Sequence, residues 1–353
     1  MKNTGKKFEQ KTIDALKRCL EKVPFVQGVM PLSEQELVGD MRRTLVAKVK
    51  LPDGEKRIII EFKTVGQPRI ARDALNQLLR YREILPDAYG VFAAPYISPK
   101  AAQICADEGL GYMDLAGNCH LSFGQIYVEK MGNPNPFSDK RELRSLYSPK
   151  ATRILRVLLS NPKTEWRLQA LSEVARVSLG LVAKVKSLLA DREWITERAK
   201  GLRLVDPEAQ LIEWAHNYTF RKNVVRNFYS LKTTPENEAH IAEVLSMKGI
   251  RYALTGFSGA DRIAPFMRYS KMMAYVDESD EDVTDFLNLK KVTSGANVTL
   301  LTPYDEGVYY GSFEFNGIQV VSPIQVYLDL AGDRGRGEDA AKELMEKVIR
   351  PSW

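Results

Sequence analysis

Cysteine and histidine are scarce in this chain, three of each in 353 residues. Cys19, Cys105 and Cys119 have no Cys-x-x-Cys spacing, and an odd thiol is left over however they pair. A disulfide framework and a structural zinc site are therefore not expected, and a reducing, cytoplasmic setting is. Also missing is any run near the ~20 apolar residues that cross a bilayer. The basic start, Met1 to Lys7, leads into a segment holding Glu9, Asp14 and Lys17 where an export signal would have an apolar block. No contact with a membrane is expected. A large net charge is lacking as well, at +6.

What charge there is sits unevenly. Residues 134–232 hold 19 Lys/Arg against 10 Asp/Glu, a net of +9, leaving 32 against 35 elsewhere, a net of −3. A basic module between near-neutral ones has the makings of a phosphate-contacting surface; a solvated surface with a chance imbalance is the plainer alternative. Hydrophobic residues at 44% and charged residues at 27% suit a globular protein, and the length suits two or three domains.

The turn-rich stretch 132–138, with Pro134 and Pro136, marks one boundary, and Thr233-Thr234-Pro235 marks another. Before the first, helical and strand patterns alternate: helix 7–22, strands 43–51 and 57–63, helix 68–84, strand 89–94, helix 98–108, strands 111–114 and 119–129. The pattern predicts an α/β multidomain protein: an α/β domain at 1–131, a helical module at 140–208, a basic connecting helix at 209–235 and a second α/β domain at 236–353.

In the module, Ser148-Pro149 opens a helix by a side-chain cap and a proline at its first position, and Asn161-Pro162 closes it. A short helix fits Leu168 to Val174. Ser178 caps a third that turns Leu179, Val182, Val185 and Leu189 inward and Gly180, Ala183, Lys184 and Ser187 outward, with Lys186 on the flank. Two β-prone runs from Trp194 to Val205 then surround a Lys200-Gly201 turn and carry Arg198, Lys200 and Arg203. Three helices and a basic hairpin, in that order, resemble the winged helix-turn-helix fold. The resemblance implies double-stranded DNA as partner, with the third helix in the major groove and the wing on the backbone. Lys184, Lys186, Ser187, Arg198, Lys200 and Arg203 are the candidate contacts, and Arg221, Lys222 and Arg226 on the following helix extend the track. Such modules also dock other proteins, and an acidic protein partner is the competing reading.

In the first domain, the apolar strand Ile58-Ile59-Ile60-Glu61-Phe62-Lys63 presents Glu61 and Lys63 on one face. Gln77 and Tyr81, four apart, share a helix face. An ExK strand followed by a QxxxY helix resembles the PD-(D/E)xK nucleases of the RecB-like kind. That family hydrolyses phosphodiesters with magnesium held by two carboxylates, a lysine at the attacking water and a helical Glu. The match gives Glu61 and Lys63 the ExK places, Gln77 and Tyr81 the helical motif, and Glu9 the first-helix Glu. The preceding strand, 44–51, has no carboxylate for the metal; Asp40 lies before it and Asp53 lies in a turn. The expectation is an inactive relative with Glu61–Lys63 kept as an ion pair, and no metal or cofactor. A magnesium-dependent nuclease is the alternative.

Near the end of that domain, Asp114, Gly117 and Asn118 read either as a polar site or as a turn. In the last domain, Gly256-x-Ser258 after a predicted strand is faintly similar to the Gly-Ser turn of nucleotidyltransferases. Their metal-holding Asp-x-Asp strand is replaced by adjacent Asp277 and Glu278, which point to opposite faces. The helix-and-hairpin pattern at 148–205, Leu254 to Pro265, Val320 to Leu330 and Gly335-Arg336-Gly337-Glu338 together resemble the AbiEi-type regulators, antitoxins of type IV toxin–antitoxin systems. The resemblance implies a DNA-binding autorepressor that helps to neutralise a nucleotidyltransferase-like toxin.

Overall fold

The computed structural model describes residues 2–32, 44–137, 146–198, 201–265, 268–277, 281–333 and 335–353, without the side chains of 2–9 and of 281–282. The chain forms two compact units, residues 1–140 with 190–193, and 141–189 with 194–353.

The first unit is a seven-stranded sheet in chain order, β1 (Gly28–Pro31), β2 (Leu45–Leu51), β3 (Gly54–Phe62), β4 (Tyr89–Ala94), β5 (Gly111–Asp114), β6 (Cys119–Phe123) and β7 (Ile126–Lys130). Only β3–β4 and β4–β5 are parallel pairs, and each of those crossovers carries a helix, α2 (Pro68–Ile84) and α3 (Pro99–Asp107). Strand alternation divides the core. Ala47, Ile58, Ile60, Val91 and Met113 face α1 (Lys2–Leu20), which packs Ile13, Leu16 and Leu20 on them. Val46, Ile59, Phe92 and Tyr112 face α2 and α3. The Cys19 and Cys119 thiols meet in the first layer, where each is buried and free.

The second unit begins with α4 (Pro149–Ser160), α5 (Leu168–Ala175), α6 (Leu179–Asp191) and the hairpin β8 (Ile195–Arg198) and β9 (Gly201–Leu204). Ser148 stands at the N-cap of α4 with Pro149 after it, yet its hydroxyl makes no capping bond. Ser178 does cap α6, accepting from Leu181 N at 3.3 Å. The inward stripe of α6 is Val182, Val185 and Leu189; Leu179, expected inside, is 46% exposed in the first turn.

Residues 209–235 are not one helix. α7 (Pro207–His216) is followed by a 3₁₀ turn, Phe220–Lys222, and then by strand β10 (Val224–Tyr229), which carries Arg226. Val224, Val225, Phe228 and Tyr229 are strand formers, and β10 enters a second seven-stranded sheet between β13 (Lys290–Lys291) and β14 (Val298–Thr302). The order continues through β12 (Met272–Val276), β11 (Tyr252–Leu254), β16 (Ile318–Val320) and β15 (Phe313–Phe315). α8 (Thr234–Met247) and α10 (Glu281–Phe286) pack on Phe228, Met272, Ala274, Val298 and Leu300. α9 (Gly256–Ile263), α11 (Pro323–Ala331) and α12 (Arg336–Leu344) pack against one another.

Helix α4 is tied into this second half by polar contacts. Arg153 donates to both oxygens of Asp305 and to Glu306, each at 2.8 Å. Arg156, 1% exposed, donates to Gln325 Oε1 at 2.5 Å and lies 4.9 Å from the Trp214 ring centre. Gln325 and Tyr218 in turn donate to buried Asp329, at 3.1 and 2.6 Å.

Candidate functional site

In the first unit, the ExK and QxxxY residues form one chain. Glu61, 8% exposed, lies on β3 with Ile59, on the face covered by α2. Lys63 Nζ lies 2.7 Å from Glu61 Oε1 and donates to Gln77 Oε1 at 3.4 Å. Gln77 Nε2 donates to the Tyr81 hydroxyl at 2.7 Å. The strand-to-helix geometry thus unites the four side chains singled out by spacing. Glu9 belongs to α1, which packs on the opposite face; its side chain lies outside the described residues, as does Asp40.

The group does not fit a magnesium ion, which asks for several hard oxygen ligands. Glu61 is one carboxylate with one oxygen already on an ammonium. The β2–β3 ladder pairs Leu45 with Ile60, so Thr44 comes opposite Glu61, and its buried hydroxyl has no hydrogen-bond partner among the described residues. Asp53 sits in the turn at the other end of that ladder. Among the described residues no three His, Cys, Asp or Glu side chains cluster as a metal site. Asp114 reaches the same sheet face at the end of β5, but it holds a turn. Its oxygens accept from Ile97 N at 3.3 Å, and from Asn118 N and Nδ2, each at 2.8 Å. Gly117, at φ +100°, closes that turn.

In the second unit, α6 presents Gly180, Ala183, Lys184 and Ser187 on an exposed face. Lys184 has no ion pair among the described residues, whereas Lys186 is held by Glu197 of β8 at 2.8 Å. Arg198 lies 3.4 Å from Glu165. Arg203 on β9 is half-buried, and its Nε makes no hydrogen bond among the described residues. Lys200 lies outside the described residues.

The hairpin is fixed by a contact that spacing did not reveal. Trp166, between α4 and α5, exchanges backbone hydrogen bonds with Leu202 at 2.7 and 2.9 Å. Gly201, at φ +148°, makes room for it, because a Cβ there would fall on the Trp166 carbonyl oxygen. Between this bridge and α6 runs a groove of about 290 Å³ lined by Arg167, Lys186, Glu197 and Arg198. Arg167, exposed at the start of α5, was not among the candidates; a cation just ahead of a short helix was its only sequence signal.

Farther on, Gly256 opens α9 at φ +56° and Ser258 Oγ accepts from Met273 N at 3.3 Å. Asp277 follows the end of β12, and Glu278 lies outside the described residues. Among the described residues no helix is long and apolar enough to cross a membrane.

Residues 203–350 match the family described as transcriptional regulator, AbiEi antitoxin, type IV TA system. The match starts in β9 and covers less than half of the chain, leaving out α4 to α6. No curated protein sequence matches. Among solved structures, the chain is similar to one titled "Structure of EndoMS-dsDNA2 complex", at 20% identity over 29% of this chain and 43% of that one, TM-score 0.20. It is also similar to a repair endonuclease from Pyrococcus abyssi, at 15% identity over 30% and 46%, TM-score 0.22. The chain spans under half the length of either, and likeness at that level carries no further weight.

Proposed function

We propose that this protein is a DNA-binding transcriptional regulator of the antitoxin type, whose three helices and hairpin act as a winged helix-turn-helix. The observation that carries this reading is the hairpin held by the Trp166–Leu202 bridge beside the exposed face of α6. That arrangement sets Lys186 beside Arg167 and Arg198 around one groove, with Lys184 and Ser187 on the exposed face of the same helix. Small residues beside lysines let α6 enter a major groove, and the hairpin meets the flanking phosphates. The family match at 203–350 supports the regulatory role. In that role the protein represses its own operon, and its partner is a nucleotidyltransferase-like toxin.

The test is a titration of the protein with its own upstream DNA over a range of salt. Specific binding that weakens with salt, and a smaller salt slope for Lys184→Ala with Arg167→Ala, are expected. Salt-independent binding, or binding indifferent to those changes, would refute the reading.

A second reading is favoured by the Glu61–Lys63–Gln77–Tyr81 chain: a Mg²⁺- or Mn²⁺-dependent nuclease, which needs a further carboxylate such as Asp40 brought beside Glu61, since Glu9 belongs to the helix on the opposite face. Cleavage of DNA that vanishes in Lys63→Ala would establish it. Intact DNA across divalent metals would dismiss it.

A further inference from the structure

The second sheet carries a cavity of about 460 Å³ that the DNA-binding reading does not use. Asn227 of β10, Thr299 of β14 and Met273 of β12 are neighbours in the ladder and share a sheet face, the one opposite the apolar layer under α8. They form its floor. Phe220, in the 3₁₀ turn before β10, and Val225 add apolar wall, while Arg221 and Lys271 stand exposed on the lining.

The unused polar capacity here is mostly donor. The Thr299 hydroxyl donates to Asn227 Oδ1 at 2.9 Å, which leaves the Asn227 Nδ2 hydrogens without a partner among the described residues. Arg221 and Lys271 have no ion pair among the described residues either, and no carboxylate lines the cavity. Asn223 is fully used in holding the wall: its amide donates to Phe220 O at 2.7 Å and accepts from Tyr304 N at 3.1 Å. The Gly256 turn closes against the same floor, since a Cβ on Gly256 would lie 3.2 Å from Met273 Sδ.

We infer that this cavity binds a small nucleotide, with its phosphates between Arg221 and Lys271 and its base against Phe220 and Met273. Two unpaired cations beside free amide donors favour phosphate oxygens. The volume lies in the range of small-molecule sites, which combine apolar walls with a few polar groups. With no carboxylate to hold Mg²⁺ under a triphosphate, the bound nucleotide is an effector and not a substrate. This inference stands apart from the proposed function and survives its failure.

The test uses the full chain and titration calorimetry with AMP, ATP, GTP and inorganic phosphate, on wild type, on Arg221→Ala with Lys271→Ala, and on Asn227→Ala. Both cations are exposed, so the double variant keeps its fold, checked by circular dichroism. At least one nucleotide should bind, with inorganic phosphate at least about tenfold weaker and the double variant at least about tenfold weaker than wild type. Inorganic phosphate binding as tightly as the nucleotides would overturn the assignment. So would absence of binding at millimolar ligand, or binding that both variants leave unchanged. A double variant that loses DNA affinity while keeping nucleotide affinity would assign the cation pair to DNA, and the inference would fall.

Discussion

Two of the basic side chains proposed to meet DNA already have carboxylate partners, and this sets what single substitutions should do. Lys186, half-buried, lies 2.8 Å from the exposed Glu197, a near-surface pair of the kind that adds little to stability. A phosphate would have to compete with that carboxylate, so Glu197→Gln is expected to tighten DNA binding about two- to fivefold with hardly any change in melting temperature. Fluorescence anisotropy on one duplex reads this directly, and weaker binding would place Lys186 outside the interface. Glu61 poses the converse case. Lys63→Met leaves its carboxylate largely buried and unpaired, and should cost about 1–2 kcal/mol of stability in urea unfolding, less than a fully buried pair because Lys63 is partly exposed. Adding Glu61→Gln should recover most of that loss. A destabilisation that the second change does not relieve would mean the ion pair is not what Lys63 provides. The four residues of this chain were legible in the sequence because strand and helix periods fix which side chains share a face. Arg167 was not, because its place depends on where Trp166 lies in space.

At the scale of elements, strands β3, β4 and β5 and helices α2 and α3 follow closely from apolar runs, alternation and proline starts. The stretch after α7 was misread because Arg221, Lys222 and Arg226 suggested a basic helix, whereas Val224, Val225, Phe228 and Tyr229 pair in a sheet. Pairing partners 72 residues apart in the chain, such as Asn227 and Thr299, leave no local signal. The hairpin illustrates the same limit: β8 and β9 were legible, but the bridge from Leu202 to Trp166 was not. It yields a test. Gly201→Val puts a Cβ on the Trp166 carbonyl at a φ of +148°, which a β-branched residue does not adopt. The bridge should open, at a cost of about 1–3 kcal/mol, and DNA affinity should fall while far-ultraviolet circular dichroism keeps its helical signal. Unchanged affinity in the variant would show that the hairpin is no wing.

Over the whole molecule, most of the basic stretch 134–232 shares a compact unit with the sheet matched at 203–350. The polar core beneath α4 joins the two, from Arg156 through Gln325 to Asp329. Burial pushes the Asp329 carboxyl above its ordinary 3.8, and outweighs the opposing pull of hydrogen bonds from Thr255, Tyr218, Gln325 and Tyr275. The same burial, with that carboxylate alongside, keeps the Tyr218 and Tyr275 hydroxyls protonated. A raised folded-state value means that the native protein holds this proton more tightly than the unfolded chain does. The stability it contributes is complete below 3.8 and is lost as pH rises through the folded value. Asp329→Asn removes that dependence, because an amide has no proton to lose in this range. Its lost acceptor adds a constant offset of either sign, so the offset decides nothing and the slope decides everything. Melting curves of wild type and variant above about pH 4 should show the difference moving in favour of Asn as pH rises from the unfolded value of 3.8 through the folded one. A difference that stays flat would mean Asp329 carries the same charge folded and unfolded. The core joining the helices and hairpin to the second sheet would then be held by a carboxyl whose proton affinity folding leaves unchanged, and not by one that burial raises.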